Sequence, residues 1–344
     1  MPAVEAPFLL ACRREAVPHT PLWLMRQAGR FLPEYRAIRS RMSFLELCRN
    51  PDAAAEVTLQ PVDILGVDAA ILFADILLVL EPLGLGLSFS PGDGPSLANP
   101  IRSPEHVARL PRVDVDDSLA YVFETVRRVR TGLAGRVPLI GFAGAPFTLA
   151  SYAIEGGSSR NHERTKRFML EHPAAWSDLM GRLVEVTADY LNAQVAAGAE
   201  AGQVFDSWVG HLAPVDYAES VLPHMRALFA RLDRSVPAIH FSTGTGGYLE
   251  LVRDAGGDVV GVDWRVPLDD AWRRIGHDRA IQGNLDPVTL LGPRDAVVAR
   301  ARQVLAAAGG RRGHVFNLGH GVLPETPVDN VRALVDAVHE WSPR

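Results

Sequence analysis

The stretch VPLIGFA (residues 137–143) is apolar throughout and shows no alternation between polar and apolar positions. A strand that is buried on both faces of a parallel sheet has this pattern, whereas a strand with one solvated face alternates. Seven further stretches are typical of buried strands, and each is followed by a helical pattern: 21–25, 69–75, 202–207, 237–242, 259–264, 280–284 and 314–319. The repeated order of strand and helix predicts an α/β fold with a parallel sheet.

Eight strands, each followed by a helix, match the count of a (β/α)8 TIM barrel. The main alternative is a doubly wound open sheet. We favour the barrel because neither half of the chain repeats a nucleotide-binding signature. The residues beyond the roughly 250 of a typical barrel lie mainly in a turn-rich hairpin within 77–117 and a long connection at 144–173. No linker divides the chain, and we therefore predict one domain over residues 1–344.

The helix expected after residue 50 has recognisable ends. Asn50 can cap the first turn, Pro51 stands where a helix tolerates proline, and Gly66 can end the last turn. We therefore predict a helix over 51–65.

Composition excludes several classes of function. The 344 residues carry a formal net charge of -5, and an acidic chain lacks the broad basic face of a general nucleic-acid or membrane-surface binder. Two cysteines, Cys12 and Cys48, are too few for a disulfide framework and suit a reducing cytoplasm. The longest apolar stretch, 69–87, is interrupted by charged residues and proline, and the first residues lack a signal-peptide pattern. We expect a cytoplasmic protein without nucleic-acid or membrane partners.

Polar side chains follow most of the predicted strands. Active-site residues of (β/α)8 barrels lie at the C-terminal ends of the strands and in the loops that follow. At these positions the chain has the following residues: Arg26, Arg30, Asp75, Tyr152, Asp206, Ser207, His240, Ser242, Asn317 and His320. We expect the active site on this rim of the barrel.

The first loop on the rim is rich in arginine. Four arginines lie close together after the stretch 21–25: Arg26, Arg30, Arg36 and Arg39. A single exposed arginine more often forms a weak surface ion pair. A cluster suits a ligand with several carboxylates or phosphates, because guanidinium binds these groups bidentately. Gly29, between the first two arginines, permits close approach of the backbone to a ligand or a turn with positive φ. The loop therefore predicts a polyanionic ligand, rich in carboxylates.

Asp75 is a carboxylate within a long apolar stretch. A buried carboxylate needs a partner, because its desolvation is costly. It either accepts hydrogen bonds from backbone amides or faces a ligand with N–H groups, and the sequence leaves both roles open. His320, between two glycines, is equally consistent with a structural or a catalytic role. Tyr152 and Ser207 are weak candidates individually and gain weight from lying on the same rim.

Familiar cofactor motifs are absent. The stretch STGTGG (242–247) is not a dinucleotide fingerprint, because the third glycine position is Leu249. No serine lies in a G-x-S-x-G turn, and no Walker-type lysine loop exists. The two cysteines stand apart from each other and from any histidine. We therefore predict that the protein needs no cofactor and no metal.

Several stretches together resemble the uroporphyrinogen decarboxylase family. MRQAGRFLPEYR (25–36) and GFAGAPFTLASYAIEGG (141–157) are similar to two long family motifs. LFADIL, FDSWVGHL, GVDW, QGNLDP and NLGHG occur in the order that the family has. The resemblance runs from about Pro21 to the last predicted helix.

The resemblance implies a distorted (β/α)8 barrel, a cytoplasmic homodimer and no cofactor. It also implies conversion of the four acetate arms of uroporphyrinogen to methyl groups. By this resemblance, the expected catalytic residues are Asp75, Arg26, Tyr152 and His320. Arg26 is the first candidate proton donor, and His320 is the second. Substrate binding falls to those four residues together with Gln27, Ala28, Gly29, Arg30, Arg39, Phe205 and Ser207. Arginines would hold the substrate carboxylates, and Asp75 would accept hydrogen bonds from the pyrrole N–H groups.

Two other classes of protein remain as alternatives. Corrinoid- or zinc-dependent methyltransferases share the barrel and resemble this chain in carrying a histidine at the end of the fifth strand. Their zinc site needs a cysteine two residues later, where this chain has Ser242 after His240. A non-catalytic tetrapyrrole carrier would bind the same substrate and release no CO2.

Overall fold

The computed structural model describes residues 6–90 and 94–341. The strands in these residues are β1 (Ala70–Ile71), β2 (Leu87–Ser90), β3 (Gly94–Leu97), β4 (Leu139–Gly144), β5 (Ala201–Asp206), β6 (Ala238–Ser242), β7 (Val259–Gly261), β8 (Ala280–Leu285) and β9 (His314–Leu318). Seven of them form one parallel sheet in the order β1-β4-β5-β6-β7-β8-β9. Neighbours along this sheet are also consecutive in the chain, apart from the β2–β3 hairpin.

The sheet closes through the extended residues 21–25. Leu22 forms a parallel bridge with Phe316 of β9, and the Phe316 N–H donates to the Pro21 carbonyl at 2.8 Å. On the other side, the Asp68 N–H donates to the Leu22 carbonyl at 2.8 Å, just before β1. Residues 21–25 therefore occupy the eighth position, and the predicted (β/α)8 barrel is confirmed.

Three predicted strands are shorter than expected, and the one predicted over 259–264 is limited to Val259–Gly261. Residues 21–25 make only one bridge, at Leu22, and the strand predicted over 69–75 is limited to Ala70–Ile71. Side chains take the place of the neighbouring strand as hydrogen-bond acceptors. The Phe73 N–H donates to Oγ1 of Thr58 at 3.0 Å, and the Met25 N–H donates to Oδ1 of Asn317 at 3.2 Å. These bonds turn the chain out of the sheet at the rim.

The helices surround the sheet. They are α1 (Pro7–Cys12), α2 (Pro33–Arg39), α3 (Phe44–Cys48), α4 (Pro51–Leu65), α5 (Pro104–Ala108), α6 (Val115–Ser118), α7 (Ala120–Leu133), α8 (Pro146–Glu155), α9 (Glu163–Glu171), α10 (Pro173–Ala197), α11 (Pro214–Ser220), α12 (Leu222–Arg231), α13 (Leu249–Ala255), α14 (Leu268–Ile275), α15 (Arg294–Ala308) and α16 (Val328–Trp341). Short 3₁₀ turns occupy Leu78–Leu80, Val209–His211 and Pro287–Leu291. None of the described helices combines the length and the apolar character that a membrane span needs.

Helix α4 has the predicted ends. The Asn50 side chain accepts a hydrogen bond from the Ala53 N–H, and Pro51 occupies the first turn. Gly66 adopts φ 69° directly after the last residue, a left-handed conformation that glycine reaches without a steric penalty. Cap, proline and glycine thus act together to fix the limits of this helix.

The two predicted insertions have distinct structures. Within 77–117, β2 and β3 pair antiparallel, with Leu87 opposite Leu97, which confirms the hairpin. Phe89 of the hairpin packs against Phe44 of α3, with ring centroids 4.8 Å apart. The connection 144–173 is largely helical and contains α8 and α9.

A chain of buried amides crosses the barrel interior. The Trp23 indole N–H donates to Oε1 of Gln282 at 3.0 Å, and Nε2 of Gln282 donates to Oε1 of Gln203 at 3.0 Å. All three side chains are buried. These bonds join the first segment, β5 and β8, so that polar groups as well as apolar packing hold the sheet together.

We predict that Gln282→Leu destabilises the fold strongly. The substitution preserves volume but leaves the Trp23 N–H and the Gln203 carbonyl oxygen without partners. An orphaned buried polar group costs about 1–3 kcal/mol, so we expect the free energy of unfolding to fall by about 2–5 kcal/mol in urea titrations. Gln303→Leu, at an exposed position, is the control and should change it by less than about 0.5 kcal/mol. Equal effects of the two substitutions would contradict the role of the buried amides.

Candidate active site

Arg26 is the first residue of the candidate site along the chain. It lies at the rim of the barrel, where residues 21–25 leave the sheet. Its backbone is left-handed, with φ 61°, a conformation that non-glycine residues seldom adopt. Backbone hydrogen bonds of the residues on both sides of Arg26 hold this strained conformation. The Val322 N–H donates to the Met25 carbonyl at 2.9 Å, and the Gln27 N–H donates to the Leu24 carbonyl at 3.0 Å. Strained backbone of this kind is typical of functional loops.

Gly29 lies in close contact with the backbone of its own loop and does not have the positive φ that was one of its two predicted roles. Its own φ is not positive; the left-handed residue of this loop is Arg26. A Cβ at Gly29 would lie 2.6 Å from the Arg26 carbonyl oxygen. The glycine therefore lets the loop fold tightly upon itself and holds Arg26 in place.

Gln27 lies beneath the loop. Its side chain is fully buried: Oε1 accepts from the Leu24 N–H at 2.9 Å, and Nε2 donates to the Ala69 carbonyl at 3.0 Å. The side chain thus ties the arginine loop to the residues before β1. Ala28, beside it, remains half-buried.

The four clustered arginines differ in how their guanidinium groups are used. Arg36 donates to the carbonyls of Arg30 and Phe31, at 2.9 and 3.2 Å. Arg39 donates to the Met42 carbonyl. Within the described residues, the guanidinium groups of Arg26 and Arg30 have no hydrogen-bond partner, and both residues are exposed. Arg26 and Arg30 are therefore the two arginines with all their donors available to an anion.

Asp75 lies four residues after β1 on the same rim. Its Oδ1 accepts from the Leu77 N–H at 2.8 Å, which fixes the direction of the carboxylate. Among the described residues, none donates to Oδ2. Burial raises the pKa of Asp75 to about 6, although the Leu77 hydrogen bond and the Arg26 charge oppose this shift. Asp75 is thus a half-buried carboxylate with one oxygen held and one oxygen available.

His320 follows β9, across the closed seam of the barrel from Arg26. A Cβ at Gly321 would lie 2.4 Å from Cδ of Arg26, so the arginine side chain packs directly over this glycine. Burial, with the charges of Arg26 and Arg265, lowers the pKa of His320 to about 4. Its Nδ1 accepts from the Gly321 N–H at 2.8 Å, which leaves the ring proton on Nε2. The imidazole is therefore a neutral hydrogen-bond donor at neutral pH.

Tyr152 belongs to α8 and faces the turn after β5. Its ring lies 6.0 Å from that of Trp208, and burial raises the pKa of the phenol, with the hydrogen bond to Trp208 and the charges of Asp75 and Arg26 as smaller influences. The hydroxyl consequently stays protonated at neutral pH. Asp75 and Arg26 are close enough to Tyr152 to influence its ionisation, which places all three on one part of the rim.

The turn that carries Ser207 is held by a buried network. Oγ1 of Thr148 donates to Oδ1 of Asp206 at 3.0 Å and accepts from the Trp208 N–H at 3.3 Å. The Ser207 carbonyl accepts from Oγ1 of Thr243 at 2.6 Å. Phe205 of β5 is half-buried, and its ring packs edge-on against Phe142 at 5.5 Å. An apolar wall thus borders the polar groups.

Four residues that the sequence placed on the rim are buried in the fold: Asp206, His240, Ser242 and Asn317. Asp206 and His240 are fully buried and face each other, with Nε2 of His240 at 3.9 Å from Oδ2 of Asp206. Asn317 is fully buried, and its Oδ1 accepts from the N–H groups of Met25 and Leu318. These side chains support the rim from beneath.

Two further residues, which the sequence patterns did not single out, lie at the site. The Trp208 ring lies 6.0 Å from that of Tyr152, and Arg265 acts electrostatically on His320. Arg265 also pairs with Asp263 at 2.5 Å and lies over the Trp264 ring, with Cζ 4.2 Å from the centroid. The stretch GVDW followed by arginine, after a predicted strand, is the sequence feature that could have indicated this residue.

The rim therefore combines a cationic side, an anionic centre and neutral donors. Arg26 and Arg30 can hold carboxylates, Asp75 can accept hydrogen bonds from N–H groups, and Tyr152 and His320 can donate hydrogen bonds. The two cysteines, Cys12 and Cys48, are buried in helices, and burial raises the pKa of both thiols. The arrangement suits a ligand with carboxylates at its edge and N–H groups at its centre.

Solved structures share this architecture. A methyltransferase from Methanosarcina mazei superposes with a TM-score of 0.82 at 20% identity, over 97% of this chain and 98% of that one. A B12-independent methionine synthase from Shewanella sp. W3-18-1 gives a TM-score of 0.57 at 12% identity, over 84% of this chain and 87% of that one. At these identities the likeness concerns the fold alone.

Sequence relatives are much closer. The chain is 55% identical to the uroporphyrinogen decarboxylase of Carboxydothermus hydrogenoformans over 336 residues, which cover 97% of this chain and 96% of the relative. It is 57% identical to that of Chloroflexus aurantiacus over 339 residues (97% and 95%) and 54% identical to that of Streptomyces coelicolor over 341 residues (99% and 96%). The family described as Uroporphyrinogen decarboxylase (URO-D) matches residues 4–341. The chain belongs to the uroporphyrinogen decarboxylase family.

Proposed function

We propose that this protein is a carboxy-lyase that removes CO2 from the four acetate arms of uroporphyrinogen III and yields coproporphyrinogen III. Beyond family membership, the observation that carries this proposal is the Asp75 carboxylate, with one oxygen held by Leu77 and the other available, beside Arg26. The substrate has the matching polarity, since it carries eight carboxylates around a ring of four pyrrole N–H groups.

Two parts of the rim bind different groups of the substrate. Arg26 and Arg30 hold carboxylates at the edge of the tetrapyrrole, and Arg39 adds a further positive charge nearby. Each charge-assisted hydrogen bond contributes about 1.5–3 kcal/mol. Asp75 accepts hydrogen bonds from the pyrrole N–H groups at the centre, with the Phe205 ring beside the macrocycle. Ser207, Tyr152 and the backbone at Ala28 complete the contacts.

Asp75 then stabilises the cation on which decarboxylation depends. A proton adds to the pyrrole carbon next to the one that bears the acetate, which makes the ring cationic. The bond to CO2 breaks, and its electron pair forms an exocyclic double bond that neutralises the ring. A second proton adds to the exocyclic carbon to form the methyl group, and the ring loses the first. A fixed anion beside the developing positive charge lowers the barrier of the first step.

The low pKa of His320 favours a proton delivered at Arg26 over one from the imidazole. A histidine with a pKa of about 4 holds a single ring proton at neutral pH and is a poor general acid in the free protein. Arginine itself is a weak acid. We therefore assign the proton to a substrate carboxylic acid or a water molecule that Arg26 positions. His320 and Tyr152 act as hydrogen-bond donors to the bound substrate.

A zinc-dependent methyltransferase is the less favoured function. The position of the required cysteine is Ser242, whose hydroxyl hydrogen-bonds to Oγ1 of Thr245 at 2.8 Å, and His240 faces Asp206 in the interior. These residues do not supply thiolate ligands for zinc. A tetrapyrrole carrier would need the same binding groups but would show no turnover.

The decisive experiment is anaerobic incubation with uroporphyrinogen III. Oxidation and chromatography then separate the porphyrins by carboxylate number. We expect heptacarboxylate to tetracarboxylate products to appear in turn. Unchanged octacarboxylate porphyrin that co-purifies with the protein would indicate a carrier. We further propose that the enzyme is cytoplasmic, as the family resemblance implies, and works as a homodimer, which sedimentation of the purified chain tests.

We predict that Asp75→Asn almost abolishes turnover and that Asp75→Glu retains part of it. Asparagine keeps the shape but removes the charge, whereas glutamate keeps the charge and shifts it by about 1.5 Å, where small misplacements are costly. Loss of a preorganised electrostatic contact costs about 10²–10³-fold in kcat. The measurement is single-turnover decarboxylation, with circular dichroism to verify folding. If the folded Asp75→Asn variant turns over within a few-fold of the parent rate, the negative charge of Asp75 is not needed for decarboxylation.

The pH dependence of kcat/KM should follow the ionisation of the Asp75 carboxyl group. Its pKa is raised to about 6, so the group is protonated below that pH and cannot serve as an anion. We therefore expect kcat/KM to fall as the pH drops through about 6, since kcat/KM reports the free enzyme. Arg26→Gln removes a charge that lowers this pKa, and the midpoint should move upwards even though the rate falls. A midpoint near 4, unchanged in the variant, would contradict this role.

Arg30→Lys should weaken substrate binding. Lysine keeps the charge and loses the two-pronged donor geometry that matches a carboxylate. Loss of one charge-assisted contact of about 1.5–3 kcal/mol corresponds to about a tenfold or larger decrease in kcat/KM. Arg112→Lys, at a highly exposed position away from the rim, is the matched control and should behave as the parent. Full activity of the Arg30 variant would exclude a bidentate contact there.

A further inference from the structure

A second polar cluster lies at the opposite end of the barrel from the candidate active site. His19 precedes the extended residues 21–25, Asp68 precedes β1, and His339 lies near the end of α16. Nε2 of His19 is 2.9 Å from Oδ1 of Asp68, and Nε2 of His339 is 2.8 Å from Oδ2. The two imidazoles thus flank one carboxylate, with their ring centroids 4.5 Å apart.

We propose that His19, Asp68 and His339 form a binding site for one divalent transition-metal ion, best suited to Zn²⁺. Two imidazole nitrogens and a carboxylate oxygen are ligands that Zn²⁺ accepts, with water completing the coordination. The three ligand atoms lie within 4.8 Å of one another. In the part of the chain that the structure describes, no other three histidine, cysteine or acidic side chains come together in this way.

Two of the distances between ligand atoms already suit a single ion. Ligand bonds of about 2.1 Å place two donor atoms about 3.0 Å apart at a right angle and about 3.4 Å apart at a tetrahedral angle. The two nitrogen–oxygen distances of 2.9 and 2.8 Å are close to these values, and each involves a different oxygen of Asp68. The ligand atoms lie within 4.8 Å of one another, whereas two ligands on one ion are at most about 4.2 Å apart, so rotation of the side chains has to draw any wider pair together. Binding exchanges two N–H···O hydrogen bonds for metal bonds, and each ring proton leaves Nε2, either to Nδ1 or to solvent.

The carboxylate is fixed in advance for this role. Oδ2 of Asp68 accepts from the Leu22 N–H at 2.7 Å, while the Asp68 N–H donates to the Leu22 carbonyl. Outer contacts of this kind orient a ligand and strengthen binding. The side chains of His19, Asp68 and His339 are 27%, 12% and 30% exposed, so an ion can enter from solvent.

The position of the site indicates a structural function. It joins residues 49 and 271 positions apart in the chain at the N-terminal ends of the strands, whereas chemistry in this fold occurs at the other end. An ion there would fasten the first segment, β1 and the last helix together. Because the unfolded chain does not hold these three ligands near one another, binding should stabilise the fold.

The test uses the whole chain, first freed of metal by chelation and dialysis. Equilibrium dialysis with Zn²⁺ should give one tightly bound ion per chain. At a hundredfold excess over Kd, the melting temperature should rise by about 3 °C or more. Absence of a bound ion, or of any shift in melting temperature, would leave only a hydrogen-bonded cluster and overturn the proposal.

The variants His19→Gln and His339→Gln locate the ion. Glutamine keeps an N–H donor for Asp68, so both variants should fold, while loss of a ligand should weaken Zn²⁺ binding more than about 100-fold, beyond the 10–100-fold effect of outer-shell groups. His277→Gln removes an exposed histidine elsewhere and should bind as the parent does. Undiminished binding in both His19 and His339 variants would place the ion at another site and refute the assignment.

Discussion

Closure of the sheet by residues 21–25 is the constraint on which the rest of the structure depends. These residues pair with Phe316 on one side and with Asp68 on the other, and only a closed sheet removes both exposed edges. Closure also sets the active site, because the loop after Met25 and the loop after β9 then meet at the seam. Arg26 packs over Gly321 for this reason, and His320 comes under the influence of its charge.

The candidate active site works through unequal burial of its charged groups. Asp75 lies deep enough for its pKa to rise to about 6 and is still anionic at neutral pH, whereas the pKa of His320 falls to about 4 and the ring stays neutral. Arg26 influences both groups. A bound tetrapyrrole would exclude water from this region and strengthen every one of these interactions, because electrostatic energies grow as the local dielectric falls. The same rim therefore supplies one fixed anion, available cations and neutral hydrogen-bond donors.

The sequence was most informative where local chemistry decides structure. Asn50, Pro51 and Gly66 gave the limits of α4 correctly, and the apolar stretches located β4, β5, β6, β8 and β9 to within two residues. It was least informative at residues 21–25 and 69–75, where Asn317 and Thr58 replace the neighbouring strand as acceptors. Those acceptors lie far away in the chain or in a helix, so no local pattern could reveal them. Gly29 illustrates the same limit, since its small size serves the Arg26 carbonyl and not a positive φ of its own.

The sequence by itself determined the class of fold, the family and the residue types on the rim, because buried parallel strands and long motifs are local patterns. Tertiary structure decided which of those residues are free to act. Among the described residues, Arg26 and Arg30 keep their donors available. In contrast, Arg36 donates to backbone carbonyls, Nε2 of Gln27 donates to the Ala69 carbonyl, and Oδ1 of Asn317 accepts from backbone N–H groups. It also brought His19, Asp68 and His339 together, although 271 positions separate the last two. Such contacts arise only when the closed barrel makes distant segments neighbours, and no spacing in the chain encodes that proximity.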